Sequence, residues 1–197
     1  MNVSHPPFAG LPDGVRPGRA AGPREGSPVA DLEGPYLLYP ARLEHPRENH
    51  LRLLGAYAAS RARTTHALVL AGADWGAGPL IRAGVARRRL GDRVVMLGYV
   101  SAAEALELAA GADAVVIVGQ WDGCRLAELQ ALSAGRPLVT SDLEVAGDLG
   151  VLCDPHDERS IASALDRVID DEALHARARR EGPRRVRELL RSPEAPR

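Results

Sequence analysis

The chain contains no lysine; all 25 basic side chains are arginine. Any task that an ammonium group would perform must here fall to a guanidinium or be absent. Aromatic residues make up only 4% of the 197 residues, so the core rests on Leu, Val, Ala and Ile. Two cysteines, Cys124 and Cys153, cannot build a disulfide framework, and no CxxC or Cys/His cluster points to a metal. That cysteine usage fits a reducing compartment. No run approaches the ~20 apolar residues of a membrane span, and the N-terminus lacks the apolar core of a signal peptide, so a cytoplasmic location is expected. The formal charge of −1 provides no field for gathering nucleic acid or anionic lipid.

What is present falls into three parts. Residues 1–34 are rich in Pro and Gly, as in "SHPPFAGLPDGVRPGRAAGPREGSP", and have neither helical nor alternating periodicity. They read as a linker or disordered lead. Over 35–175, short apolar runs alternate with amphipathic segments. Strands are predicted at 36–40, 66–72, 93–100, 113–119, 137–141 and 150–154, and helices near 48–62, 77–89, 102–110, 125–134 and 158–170. Ser101 followed by Glu104 forms a capping box that opens the third helix. Ile161, Leu165, Val168 and Ile169 make one apolar stripe on the last. This alternation predicts an α/β fold, a Rossmann-like doubly wound parallel sheet of about six strands that binds ligands at the carboxyl ends of its strands. Residues 176–197 read as a basic helical tail broken at Gly182–Pro183, either a solvated helix edge or a docking surface for an acidic partner.

Four segments in order carry a resemblance: "LYPARLEHPRENHLRLLGAY", "LVLAGADWGAG", "VVMLGYVSAAEALELAAGADAVV" and "WDGCRLAELQALSAGRPLVTSDLEVAGDLGVLCDPHD". Together they resemble the C-terminal, donor-binding half of retaining GT-B glycosyltransferases of the family-four group, over about residues 36–175. The resemblance implies a single GT-B half that binds a nucleotide-diphosphate sugar without a metal or other cofactor. The lead is similar to the connector that follows the N-terminal domain in such enzymes, so the chain is expected to lack the acceptor-binding domain. A separate N-terminal subunit would then supply it.

Such a site must stabilise the negative charge that grows on the diphosphate as the sugar bond breaks. The family uses an Arg and a Lys near the first strand's end. The Arg matches Arg42, whose bland alternative is a surface ion-pair partner. The Lys position falls on Glu48, a reversal of sign that also suits a helix-end carboxylate. The family's two carboxylates fall on Asp122, the expected catalytic contact to the donor sugar, and on Gln130, which would pair with ribose hydroxyls without charge assistance. Between them Leu126 keeps the family's Leu, whereas Cys124, Arg125 and Ala127 replace an aromatic, a Gly and a Pro. Arg125 would either block the pocket or restore the cation missing at position 48. Gly72 matches a close-approach glycine. Gly98, Tyr99 and Val100 match the segment beside the nucleotide base, or are an ordinary strand end. Trp75 would stack on a base or shield a loop, and Glu144 lies in a shortened version of the loop beneath the diphosphate. Cys124 has no local His or Asn signature and reads as a small buried thiol. His45, His50, His156 and His175 show no ligand or triad spacing.

Two functions follow. The chain is the donor-binding half of a glycosyltransferase, inactive by itself, or a catalytically inactive remnant that binds a nucleotide or a protein. A dinucleotide-binding dehydrogenase domain is disfavoured, because no GxGxxG follows the first strand.

Overall fold

The computed structural model describes residues 34–120 and 125–191. The lead before Gly34, the stretch containing Asp122 and Cys124, and the last six residues lie outside the described residues. Six strands form one sheet: β1 (Tyr36–Tyr39), β2 (Ala67–Ala71), β3 (Val94–Gly98), β4 (Ala114–Ile117), β5 (Leu138–Thr140) and β6 (Gly150–Leu152). All pairs are parallel, in the order β3-β2-β1-β4-β5-β6. The fold is therefore the expected doubly wound α/β sheet. Each predicted strand is present, shorter at its ends.

Alternation along each strand builds two cores, because successive side chains point to opposite faces. On one face Leu37, Tyr39, Leu68, Leu70 and Val116 meet α1 (His50–Ala59), α3 (Gly78–Arg87) and α6 (Glu158–Asp170), with the one-turn α2 (Ala62–Thr65) at its margin. On the other, Tyr36, Leu38, Val69, Val115 and Leu138 meet α4 (Ala102–Gly111) and α5 (Arg125–Ser133). The predicted capping box opens α4. Ser101 Oγ accepts from the Glu104 N–H at 3.3 Å, and Glu104 Oε2 accepts from the Ser101 N–H at 2.7 Å.

The expected break at Gly182–Pro183 is absent. α7 (Glu172–Arg191) runs through Pro183 as one helix. An interior proline typically costs about 3 kcal/mol, so packing must offset it. Leu174, Ala178, Gly182 and Val186 are buried at four-residue spacing, one stripe along the helix. A Cβ at Gly182 would overlap the Leu132 carbonyl oxygen, and one at Gly135 would lie 2.9 Å from Arg179 Cα. The missing side chains let α7 lie close against α5, which turns the tail into part of the second core rather than a free helical edge.

The winding direction reverses between β1 and β4, since β1 pairs with β2 on one side and β4 on the other. Their carboxyl ends diverge there into separate loops, the place where such sheets bind ligands.

Candidate functional site

A cleft of about 680 Å³ opens at this reversal, within the usual size of small-molecule sites. Three strand exits build it. After β1 come Pro40 to Arg42, after β2 Ala71 to Ala73, and after β3 Tyr99 to Ser101; Leu126, Ala127 and Gln130 of α5 close one side.

The first two exits are bonded to one another. The Leu43 N–H donates to the Ala73 carbonyl at 2.9 Å, and the Trp75 N–H donates to the Leu43 carbonyl at 3.1 Å. Gly72 makes this approach possible, because a Cβ there would overlap the Ala41 carbonyl oxygen. The close approach is thus to the chain's own backbone. Gly98, at φ +73°, accepts from the Gly72 N–H at 2.8 Å and turns the third exit toward the cleft.

Arg42 projects into the cleft from β1's exit. Its Nη2 lies 3.3 Å from Glu44 Oε2 and 3.4 Å from Glu48 Oε1, and its guanidinium carbon sits 4.5 Å from the centre of the Trp75 ring. Both readings of this residue therefore hold geometrically, since it is ion-paired and also lines the cleft. Glu48 is buried, and α1 begins only at His50, with Asn49 as its N-cap. Glu48 thus stands immediately before the N-cap, at the helix end but buried. Burial pushes its carboxyl above the usual range, and the neighbouring Arg42 pulls partly the other way. A Cβ at Gly119 would lie 3.4 Å from Glu48 Oε2, so the carboxylate stands against the exit of β4. Tyr39 fixes this loop by donating its hydroxyl to the Glu48 carbonyl.

Gln130 is buried and lines the cleft, with Leu126 one turn earlier. Tyr99, 79% exposed, and Trp75, 62% exposed, stand at its rim, with Val100 between Tyr99 and the capping box. Arg42, Gly72, Tyr99, Val100, Leu126 and Gln130 are therefore brought together. Arg125 is not. Its Nη2 binds Glu144 Oε2 at 2.7 Å, and it is not among the residues that line the cleft. Asp122, the expected catalytic residue, lies outside the described residues.

Sequence reasoning missed Glu128. Two residues along a helix is about 200°, so Glu128 faces away from Gln130, toward β5. It is buried, and accepts from the Thr140 hydroxyl at 3.1 Å. A glutamate flanked by the apolar Ala127 and Leu129 of α5 was the available signal. Burial lifts its carboxyl to about 7. The neutral form therefore supports the fold fully below the ordinary value of 4.5, and that support drains away as pH rises through about 7. Glu128→Gln should raise stability by about 1–2 kcal/mol at about pH 8 and change little at about pH 4.5. Thermal denaturation at both values checks this; equal effects at the two would show that the charge is not felt.

Among the described residues, no group of three or more His, Cys, Asp or Glu side chains is placed to hold a metal ion. No helix there is long and apolar enough to cross a membrane. Cys153 is buried, and burial pushes its thiol up to about 12, which leaves it inert.

With this geometry in view, four likenesses bear on the chain. The family described as "Glycosyl transferases group 1" matches residues 34–171. Glycogen synthase of Mycobacterium tuberculosis (strain ATCC 25618 / H37Rv) is 32% identical over 163 residues, covering 76% of this chain and 37% of that protein. Sucrose-phosphate synthase from Thermosynechococcus elongatus superposes with a TM-score of 0.70 at 24% identity, over 86% of this chain and 45% of the other. Anabaena HepE, solved in complex with UDP and glucose, gives 0.68 at 19% identity, over 79% and 44%. The chain thus spans less than half the length of each of these three proteins.

Proposed function

The chain belongs to the glycosyl transferases group 1 family, and from that premise we propose that it is the donor-binding half of a retaining glycosyltransferase. The cleft is taken to hold a nucleotide-diphosphate sugar. The observation that carries this reading is the convergence of Arg42, Gly72, Val100, Leu126 and Gln130 on one 680 Å³ cleft at the strand-order reversal. That HepE was solved with UDP and glucose supports the choice of ligand.

In this assignment the base lies beside Tyr99 and Val100, and Gln130 meets the ribose hydroxyls. Arg42 faces the diphosphate. As the bond between the anomeric carbon and the distal phosphate oxygen breaks, its electron pair stays on that oxygen, and the guanidinium stabilises the growing charge. Asp122 contacts the donor sugar. The acceptor hydroxyl comes from a second half, and the departing diphosphate helps to take its proton. No metal enters this scheme.

Glu48 sets the limit on this chemistry. Arg42 is shared between two carboxylates, and one of them stands where a diphosphate would approach the β4 exit. That observation favours a second reading, a nucleotide-binding module without turnover. Both readings require nucleotide binding.

A thermal-shift panel of UDP, GDP, ADP and their sugars tests it. At ~100 times its dissociation constant, a true ligand adds about 2.7 kcal/mol, a shift of several degrees in a domain of this size. One base series should shift the unfolding midpoint. A flat response to every member would contradict the assignment.

A further inference from the structure

A second cleft, of about 260 Å³, lies on the other side of the loop that carries Glu48. Asn49 and Arg52 of the α1 start, Arg87 and Arg88 of the α3 end, Gln120 after β4 and Glu158 of α6 are among its lining residues. Three guanidiniums thus face one carboxylate. Several arginines of this chain are paired, as in Arg61 with Asp166 and Asp170 or Arg125 with Glu144. Here the pairing fails. Among the described residues, neither the Arg87 nor the Arg88 side chain has a hydrogen-bond or ion-pair partner, and Arg88 Nη1 is shielded from solvent with no acceptor.

A buried guanidinium N–H without an acceptor calls for one. Neighbouring protein groups do not supply it. The Asn49 Oδ1 already accepts from Arg52 Nη1 at 2.6 Å and from Gln120 Nε2 at 3.5 Å, while Arg52 Nη1 also donates to the Pro155 carbonyl at 3.1 Å. The Asn49 Nδ2 is spent on the Val118 and Pro155 carbonyls at 2.9 and 2.7 Å. Glu158 makes no ion pair with the three arginines; its carboxylate lies instead against Gly55 of α1, where a Cβ would meet Glu158 Oε1 at 2.6 Å. The Gln120 side-chain oxygen and the Glu158 carboxylate are acceptors, fitted to hydroxyl donors rather than to another anion.

We propose that this cleft is a binding site for a small phosphate monoester that bears hydroxyl groups, of the size of a monosaccharide phosphate. The phosphate oxygens sit on Arg87, Arg88 and Arg52, where planar guanidiniums match their geometry. The hydroxyls meet Glu158 and Gln120. The volume is below the usual range for larger ligands, which excludes a whole nucleotide sugar. The site does not depend on the donor assignment of the first cleft.

Calorimetric titration of the full chain with glucose 1-phosphate, in low-salt chloride buffer, tests the proposal. Saturable one-to-one binding is expected, tighter than that of inorganic phosphate or sulfate and persisting in saturating UDP. The double variant Arg87→Ala/Arg88→Ala should weaken it at least about tenfold. Arg87→Glu, a single change at an exposed position, should do the same and guards against a folding defect in the double variant. Four results would overturn the proposal: no saturable binding, equal binding by the variants, displacement by UDP, or sulfate binding as tightly, which would mean an adventitious ion only.

Discussion

Glu48→Lys is expected to tighten the binding of a nucleoside diphosphate by about 30- to 100-fold. The substitution exchanges a carboxylate for an ammonium beside Arg42 and against the exit of β4. At an effective dielectric of ~20 and ~6 Å, one pair of unit charges interacts by about 3 kcal/mol. The swing at Glu48 spans two charge units, and solvent at the open cleft screens much of it. A net gain of about 2–2.7 kcal/mol corresponds to the stated factor. Without ligand the variant brings two cations together and should lose up to about 1 kcal/mol of stability.

The neutral Glu48→Gln isolates repulsion from attraction and should give an intermediate gain. It also fixes the sign of the pH effect. Burial raises the Glu48 carboxyl, so lowering the pH protonates it before an ordinary glutamate and removes its repulsion of the ligand. Wild-type affinity should therefore climb toward that of Glu48→Gln as pH falls from about 8 to about 5. Phosphate protonation acts equally on both proteins and cancels in the comparison. Calorimetric titration with UDP reads all three proteins; affinities within about threefold at every pH would remove Glu48 from the site.

Gly72→Ala should destabilise the fold by about 2–4 kcal/mol and disorganise the cleft with it. The added Cβ would overlap the Ala41 carbonyl, and both atoms belong to strand exits tied by the Leu43 and Trp75 backbone bonds. Backbone cannot swing aside as a flexible side chain can. Gly76→Ala is the control. At φ +94° with open space around it, it should cost only about 1 kcal/mol, for backbone strain alone. Denaturant titration separates the two; a change below about 0.5 kcal/mol at Gly72 would show that the exits can part.

The strands were legible because both faces of the sheet are buried, which makes Tyr36–Tyr39 and Ala114–Ile117 short unbroken apolar runs. The capping box was legible because it is local, complete within Ser101 to Glu104. Contacts between distant residues were not. Nothing near Pro183 announces that Gly182 lies on the Leu132 carbonyl, or that α7 packs closely enough to continue past the proline. Arg125 reads in sequence as a neighbour of the ligand, yet its partner Glu144 lies 19 residues on, in the loop after β5. Glu48 shows as a sign reversal in the sequence, but its burial between Arg42 and Gly119 depends on how three strand exits meet. The arginine run at 87–89 is visible in the sequence but reads there as the solvated end of a helix; that Arg87 and Arg88 share a cleft with Arg52 depends on how α1 and α3 pack.

The proposed function requires that the cleft at the β1–β4 reversal receive the diphosphate of a nucleotide. Backbone amide shifts followed by NMR during a titration with UDP test it most directly. Perturbations should concentrate at Arg42, Gly72, Tyr99, Val100, Leu126 and Gln130, and spare Arg87 and Arg88. A titration that leaves those six amides unmoved, or moves only the arginine-lined cleft behind the loop, would contradict it.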